Sequence, residues 1–188
     1  MLKELIMKNR SYRRFDEKQR LKPEQLLKWI DLARCSASAR NAQSLKYLVV
    51  TETDQCEILF PVLAWAGYLK DWKGPEVGER PAAYLVMLND LQITENYYCD
   101  HGIAAQSILL GAVEDGYGGC IVAAVNRNKL KQLFQLADHL EVVLVIALGK
   151  PVEQVVLDEM VDEDYKYWRD EHQVHHVPKR KLEDLIIS

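Results

Sequence analysis

The sequence has no long apolar run, no close cysteine pair and no glycine-rich nucleotide fingerprint, and each absence removes a class of function. Its longest apolar stretch, around Val142 to Leu148, has the length of a strand and falls far short of a bilayer span. Met1 to Arg10 alternates charged residues with Leu and Ile and has no apolar core, so no secretory leader is expected. Cys35, Cys56, Cys99 and Cys120 are scattered without a CxxC spacing. That pattern suits neither a disulfide framework nor a structural zinc site, and points to a reduced, cytoplasmic setting. No GxGxxG follows a strand-like run, which argues against a Rossmann site, and no GxSxG marks a hydrolase nucleophile. Gly111 and Gly116 have the spacing of P-loop glycines, but no Lys-Ser or Lys-Thr follows. A net charge of −4 argues against general nucleic-acid binding, so any role of the basic groups is local. No repeat and no low-complexity region is present.

What remains is one domain, residues 1–188, with enough apolar content for a real core. Two short basic clusters stand out against the acidic background. Arg10-Ser-Tyr-Arg-Arg14 brings two guanidinium forks and a hydroxyl within four residues; if it is extended, Ser11 and Arg13 share a face. Such a group binds phosphate through charge-assisted hydrogen bonds, although alone it reads more readily as a solvated basic turn. The second cluster, Pro178-Lys-Arg-Lys181, favours the anion-binding reading.

The pattern along the chain mixes helices and strands. A short amphipathic helix covers Met1 to Lys8, and a second runs from Pro23 to about Ser38, with Leu26, Leu27, Ile30 and Ala33 at helical spacing. Ser38 to Gln43 reads as a loop and Leu45 to Thr51 as a strand. A helix capped at Thr53 or Asp54 is expected through the sixties, with Pro61 as a kink and Trp65, Tyr68 and Trp72 along one face. Lys73 to Pro81 reads as a loop and Ala82 to Leu88 as a strand. Asp100 to Val113 is the strongest helix, broad and small-residue-rich, hence central. Strands over Cys120–Val125 and Glu141–Leu148 flank a helix from Arg127 to Leu136. After Pro151 the period fades, and His172, His175 and His176 read as a solvated stretch, not a metal site. Cys120 reads as core filler or a nucleophile, and Asp100-His101 as an acid–base pair or a first-turn cap. No side chain demands a catalytic role. A cofactor enzyme fits such a chain, because it needs its protein mainly to bind, orient and tune.

Five blocks in order carry a resemblance: Arg10-Ser-Tyr-Arg-Arg-Phe-Asp16; Ser38-Ala-Arg-Asn-Ala-Gln43; Asp100 to Leu110 leading to Gly116-Tyr-Gly-Gly-Cys120; Ala147-Leu-Gly-Lys-Pro151; and Val177-Pro-Lys-Arg180 with Leu-Glu-Asp-Leu-Ile following. From about residue 5 to the end the chain resembles the nitroreductase family of FMN enzymes. The resemblance implies an α+β fold with a mixed central sheet flanked by helices, and a homodimer with exchanged terminal segments. It also implies FMN at the interface, NAD(P)H as co-substrate and a small-molecule acceptor, nitroaromatic or quinone, reduced by a ping-pong exchange. Arg10, Ser11 and Arg13 would reach the ribityl phosphate or the pyrimidine edge, and Lys179 and Arg180 would complete the phosphate site. Ser38, Ala39, Arg40 and Asn41 would approach the flavin from the partner chain. Cys120, Ile121, Val122 and Ala123 would lie by the isoalloxazine, one backbone N–H meeting its reactive nitrogen. Ser44-Leu45 stands where many members have Pro-Trp, and Ala123-Ala124 where some have Glu-Gly. These departures bear on the substrate. Dehalogenation, flavin fragmentation, or a storage or sensing role with little turnover are the other readings of the same scaffold.

Overall fold

The structure, a computed structural model, describes residues 1–187. Its centre is a four-stranded sheet built from β1 (Leu45–Val50), β2 (Ala83–Asp90), β3 (Gly118–Val122) and β4 (Leu140–Gly149), ordered β1-β2-β4-β3 and antiparallel at every pairing. The two central strands read as continuous apolar runs because both of their faces are covered. Alternation divides β2 between two cores. Leu85 and Met87 face α2 (Pro23–Arg34) and α4 (Asp100–Glu114), beside Leu26, Trp29, Ala105, Ile108 and Ala112. Tyr84, Val86 and Leu88 face α3 (Thr53–Leu59) and α5 (Arg127–Leu133), beside Cys56, Leu59 and Leu130. The fold class is thus α+β, with helices on both sides of the sheet, as expected.

Two details explain the close packing of α2 on α4. A Cβ on Gly111 would lie 2.5 Å from Leu32 Cδ1 and 3.1 Å from Trp29 Cδ1, so glycine lets the helices approach. At the end of α4, Asp115 accepts the Trp29 indole N–H at 2.8 Å and pairs with Lys28 at 2.8 Å.

Several element limits differ from the sequence reading. α2 stops at Arg34, short of Ser38. α3 ends at Leu59, where Pro61 enters a 3₁₀ turn, Phe60–Val62, so Trp65, Tyr68 and Trp72 lie on no helix. Trp65 is buried against Phe60, Trp72 lies beneath the Arg169 guanidinium, and Tyr68 meets Tyr165 and Tyr167. β3 begins at Gly118 and ends at Val122, and α5 ends at Leu133. The larger correction lies beyond Pro151. The segment read as irregular forms a second sheet, β5 (Val155–Glu159), β7 (His175–Lys179) and β6 (Trp168–Arg169), with β5 parallel to β7. Parallel pairing therefore occurs in this second sheet and, as a single bridge, at the edge of the central one, where Ser11 meets Gly119 of β3. Among the described residues no helix is long and apolar enough to cross a membrane.

Candidate functional site

The basic segment is extended and lies along the outer edge of β3. Ser11 bridges Gly119 in parallel, Tyr12 N–H donates to the Gly119 carbonyl at 3.0 Å, and Phe15 bridges Pro151. Extension sends alternate side chains to opposite sides. Arg14 turns to Glu79, which accepts two hydrogen bonds of 2.6 Å from it and whose carboxyl is held below its ordinary pKa by that partner. Ser11 and Arg13 instead enter a cleft of about 260 Å³ together with Asn9, Arg10, Tyr167, His175 and Lys179. The cleft gathers three cations and no carboxylate, and the Arg10 Nε is buried there without a partner. Such a lining accepts an anion.

The second part of the site follows from an interruption at the sheet edge. The outer side of β3 is covered at Gly119 by Ser11, and the chain just beyond β3 is covered at Val125 by Leu63. Between these bridges, among the described residues, no strand pairs with the outer side of Cys120 to Ala123. The Gly119 carbonyl faces outward to Tyr12, so the backbone groups of Ile121, two residues on, face outward as well. A cleft of about 180 Å³ opens there, floored by Cys120 to Ala124 and walled by Ala64 to Gly67, Arg13 and Tyr167. Arg13 and Tyr167 line both clefts, which makes them two parts of one groove: a cationic end and a flat backbone platform. Cys120 itself is buried, and burial pushes its thiol pKa up. It therefore packs as an uncharged thiol rather than serving as a nucleophile.

Beneath the groove lies a buried polar hub that the sequence reading did not contain. The Glu153 side chain is fully buried; it accepts the backbone N–H groups of Arg13 and Arg14 and pairs with Arg169 at 3.2 Å. His175, read as solvated, is 1% exposed, and its Nε2 lies 3.2 Å from Arg13 Nη1. Tyr167 covers both, its ring 4.8 Å from the Arg13 guanidinium carbon and 5.1 Å from the His175 ring. No local pattern marks these residues, because Glu153 and His175 find their partners 140 and 162 positions away.

The other expected residues are distributed differently. Lys179 lines the cationic cleft, whereas Arg180 lines a separate surface hollow with Met160, Glu163 and Asp184. Ser38, Ala39, Arg40 and Asn41 do not line the groove. Ala39–Asn41 form a 3₁₀ turn that extended Ser38 leads into, pinned to the start of α4, where Asp100 accepts from Ser38 Oγ at 2.6 Å and from Ala39 N at 2.8 Å. Asp100 thus anchors a loop, and Cys99 rather than Asp100 occupies the helix cap. Arg40, Asn41 and Gln43 all have φ of 54°, the left-handed region that side chains other than glycine rarely adopt. Three such residues within four positions suit a segment kept for a contact rather than for local stability.

The fold and groove define an α+β protein with a cationic cleft joined to an open strand edge. The chain belongs to the nitroreductase family: the family model "Nitroreductase family" matches residues 6–150. It is 27% identical over 168 residues to a protein of Methanothermobacter thermautotrophicus provisionally named NADH dehydrogenase/NAD(P)H nitroreductase, covering 86% of this chain and 83% of that one. A crystal structure of a nitroreductase family protein from Clostridium novyi superposes with a TM-score of 0.65 at 26% identity, over 80% of this chain and 86% of the other. A provisionally named nitroreductase from Exiguobacterium sibiricum, solved in complex with FMN, superposes with a TM-score of 0.67 at 16% identity, over 81% and 89% of the two chains.

Proposed function

We propose that residues 1–188 form a single FMN-binding domain and that the protein, as a homodimer, is an oxidoreductase moving electrons from NAD(P)H to a small planar acceptor such as a nitroaromatic or quinone. The two-part groove carries this reading. A dianionic phosphate suits the end lined by Arg10, Arg13 and Lys179, and a flat ring suits the open edge at Cys120 to Ala124. The FMN in the Exiguobacterium relative and the name of the Methanothermobacter relative support it. The chemistry that bound FMN supplies is hydride acceptance from NAD(P)H followed, in a second half-reaction, by reduction of the acceptor.

The protein's own work is to bind, orient and polarise. Arg10 and Lys179 would hold the phosphate, with Ser11 adding a hydroxyl donor. The outward backbone N–H of Ile121 would meet developing negative charge on the ring, so no particular side chain is required there. Small residues at Ala123 and Ala124 leave the platform open to a stacked acceptor. The strained turn Ala39–Asn41, away from its own chain's groove, would serve the partner's groove. An absorbance spectrum before and after anaerobic addition of NADH or NADPH tests the reading. Flavin bands that bleach with either nucleotide are the expected result. A colourless protein that also fails to take up added FMN overturns it.

A further inference from the structure

Alternation along β7 turns His175, Val177 and Lys179 to the cationic cleft, while His176 turns away to stack on Trp168 and meet Asp158 and Asp170. A buried imidazole such as that of His175 is costly unless its nitrogens are used. One is: the Arg13 guanidinium can only donate, so His175 Nε2 accepts and the ring proton sits on Nδ1. The groups facing His175 are mostly cationic. Arg13 comes from the extended basic segment, Arg169 from β6 and Lys179 from β7 itself; Glu153 is engaged by Arg169 and by backbone N–H groups. Burial first, then Arg13 and Arg169, pull the His175 pKa down to about 4, so the ring is neutral at physiological pH.

Arg13 Nη1 donates to two acceptors, His175 Nε2 and the Ser11 carbonyl at 3.1 Å, and both are uncharged. Among the described residues no carboxylate bonds its guanidinium. Adjacent Arg14, by contrast, is neutralised by Glu79 through two bonds. A carboxylate would orient Arg13 equally well but cancel its charge; a neutral acceptor orients it and leaves the charge available. We infer that His175 is a positioning residue, whose Nε2 aims the Arg13 guanidinium into the groove so that its full positive charge meets the anionic cofactor. This rests on the FMN reading above and assigns to His175 no contact with the flavin.

The test is a double-mutant cycle on the full chain, read as FMN affinity by flavin fluorescence quenching, with thermal unfolding of each variant in parallel. His175→Phe should weaken FMN about tenfold, the size of one charge-assisted hydrogen bond. In the Arg13→Ala background the same change should cost less than about twofold, because its route of action is gone. His175→Gln, which keeps a neutral acceptor, should retain affinity within about threefold, whereas His175→Glu should lose it by tenfold or more. Should His175→Phe fail to fold, the Gln and Glu variants decide. Equal losses in both Arg13 backgrounds, or a Glu variant that binds as tightly as Gln, overturn the inference while leaving FMN binding intact. A wild-type chain that takes up no FMN overturns the cofactor reading and this inference together.

Discussion

Arg13 and Arg14 are neighbours with opposite roles, and the difference comes from what each side chain meets. Arg14 is spent on Glu79, a partly exposed pair of ordinary structural value. Arg13 keeps its charge, held by a carbonyl oxygen and a neutral imidazole. Arg10 donates only to the Ile6 carbonyl, at 2.7 Å, and its Nε has no partner. With no carboxylate to satisfy, its charge faces the cleft. Arg10→Ala should therefore weaken FMN retention by about 1.5–3 kcal/mol, measured by fluorescence titration with folding checked by circular dichroism. Unchanged affinity would remove Arg10 from the site.

At the scale of elements, the platform depends on how tightly β3 seats on β4. A Cβ on Gly119 would fall 2.5 Å from the Ala147 carbonyl oxygen, a backbone atom with no freedom to yield. Gly119→Ala should destabilise the fold by ~1–3 kcal/mol in urea denaturation, by overpacking rather than loss of a contact. The outer sheet should respond to pH in both directions, because its two adjacent histidines have opposite shifts. Burial lowers the His176 pKa, but bonds to Asp158 and Asp170 outweigh it, and the net shift is upward. Its stabilising charge is fully present below the ordinary value of 6.5 and is lost as pH rises through the folded pKa. His175 is lowered to about 4, so between 6.5 and 4 only the unfolded chain takes up its proton, and stability falls with pH. Amide exchange protection in β7 should accordingly peak near pH 6.5, after correction for intrinsic exchange rates. A monotonic profile across that range would mean that one of the two environments is not as described.

At the scale of the whole molecule, both ends of the chain carry apolar side chains that the described residues leave exposed. Leu2, Ile6 and Met7 on α1 (Leu2–Lys8) are 64, 42 and 51% exposed, and Leu182, Leu185 and Ile186 are 72, 64 and 64% exposed. Uncovered apolar area of this kind marks an interaction surface. With the strained Ala39–Asn41 turn standing away from its own groove, it supports the homodimer proposed above. Light scattering should give a dimer, and replacing Leu185 and Ile186 together by Asp should shift it toward monomer and release flavin. A wild-type monomer that still binds FMN tightly would sink the exchanged-terminus arrangement.

The sequence by itself determined the elements whose signal is local. α4, the apolar strands β2 and β4 and the family resemblance follow from periodicity, turn residues and short ordered blocks, whereas the extension of the basic segment was only a condition. The end of α3 was misjudged because Trp65 and Trp72 recur at near-helical spacing, although Pro61 breaks the helix and tertiary packing buries Trp65 without one. β5 and β7 escaped notice because a parallel pair is joined through a long irregular connection, and neither strand alternates strongly. Only the tertiary structure decided that Glu153 and His175 are buried beneath Arg13, that Lys179 and Arg180 part company, and that Ser38–Asn41 stands apart from the groove. A polar side chain acquires its role from the partner it meets, and for Glu153 and His175 the partners on the basic segment lie more than a hundred residues away along the chain.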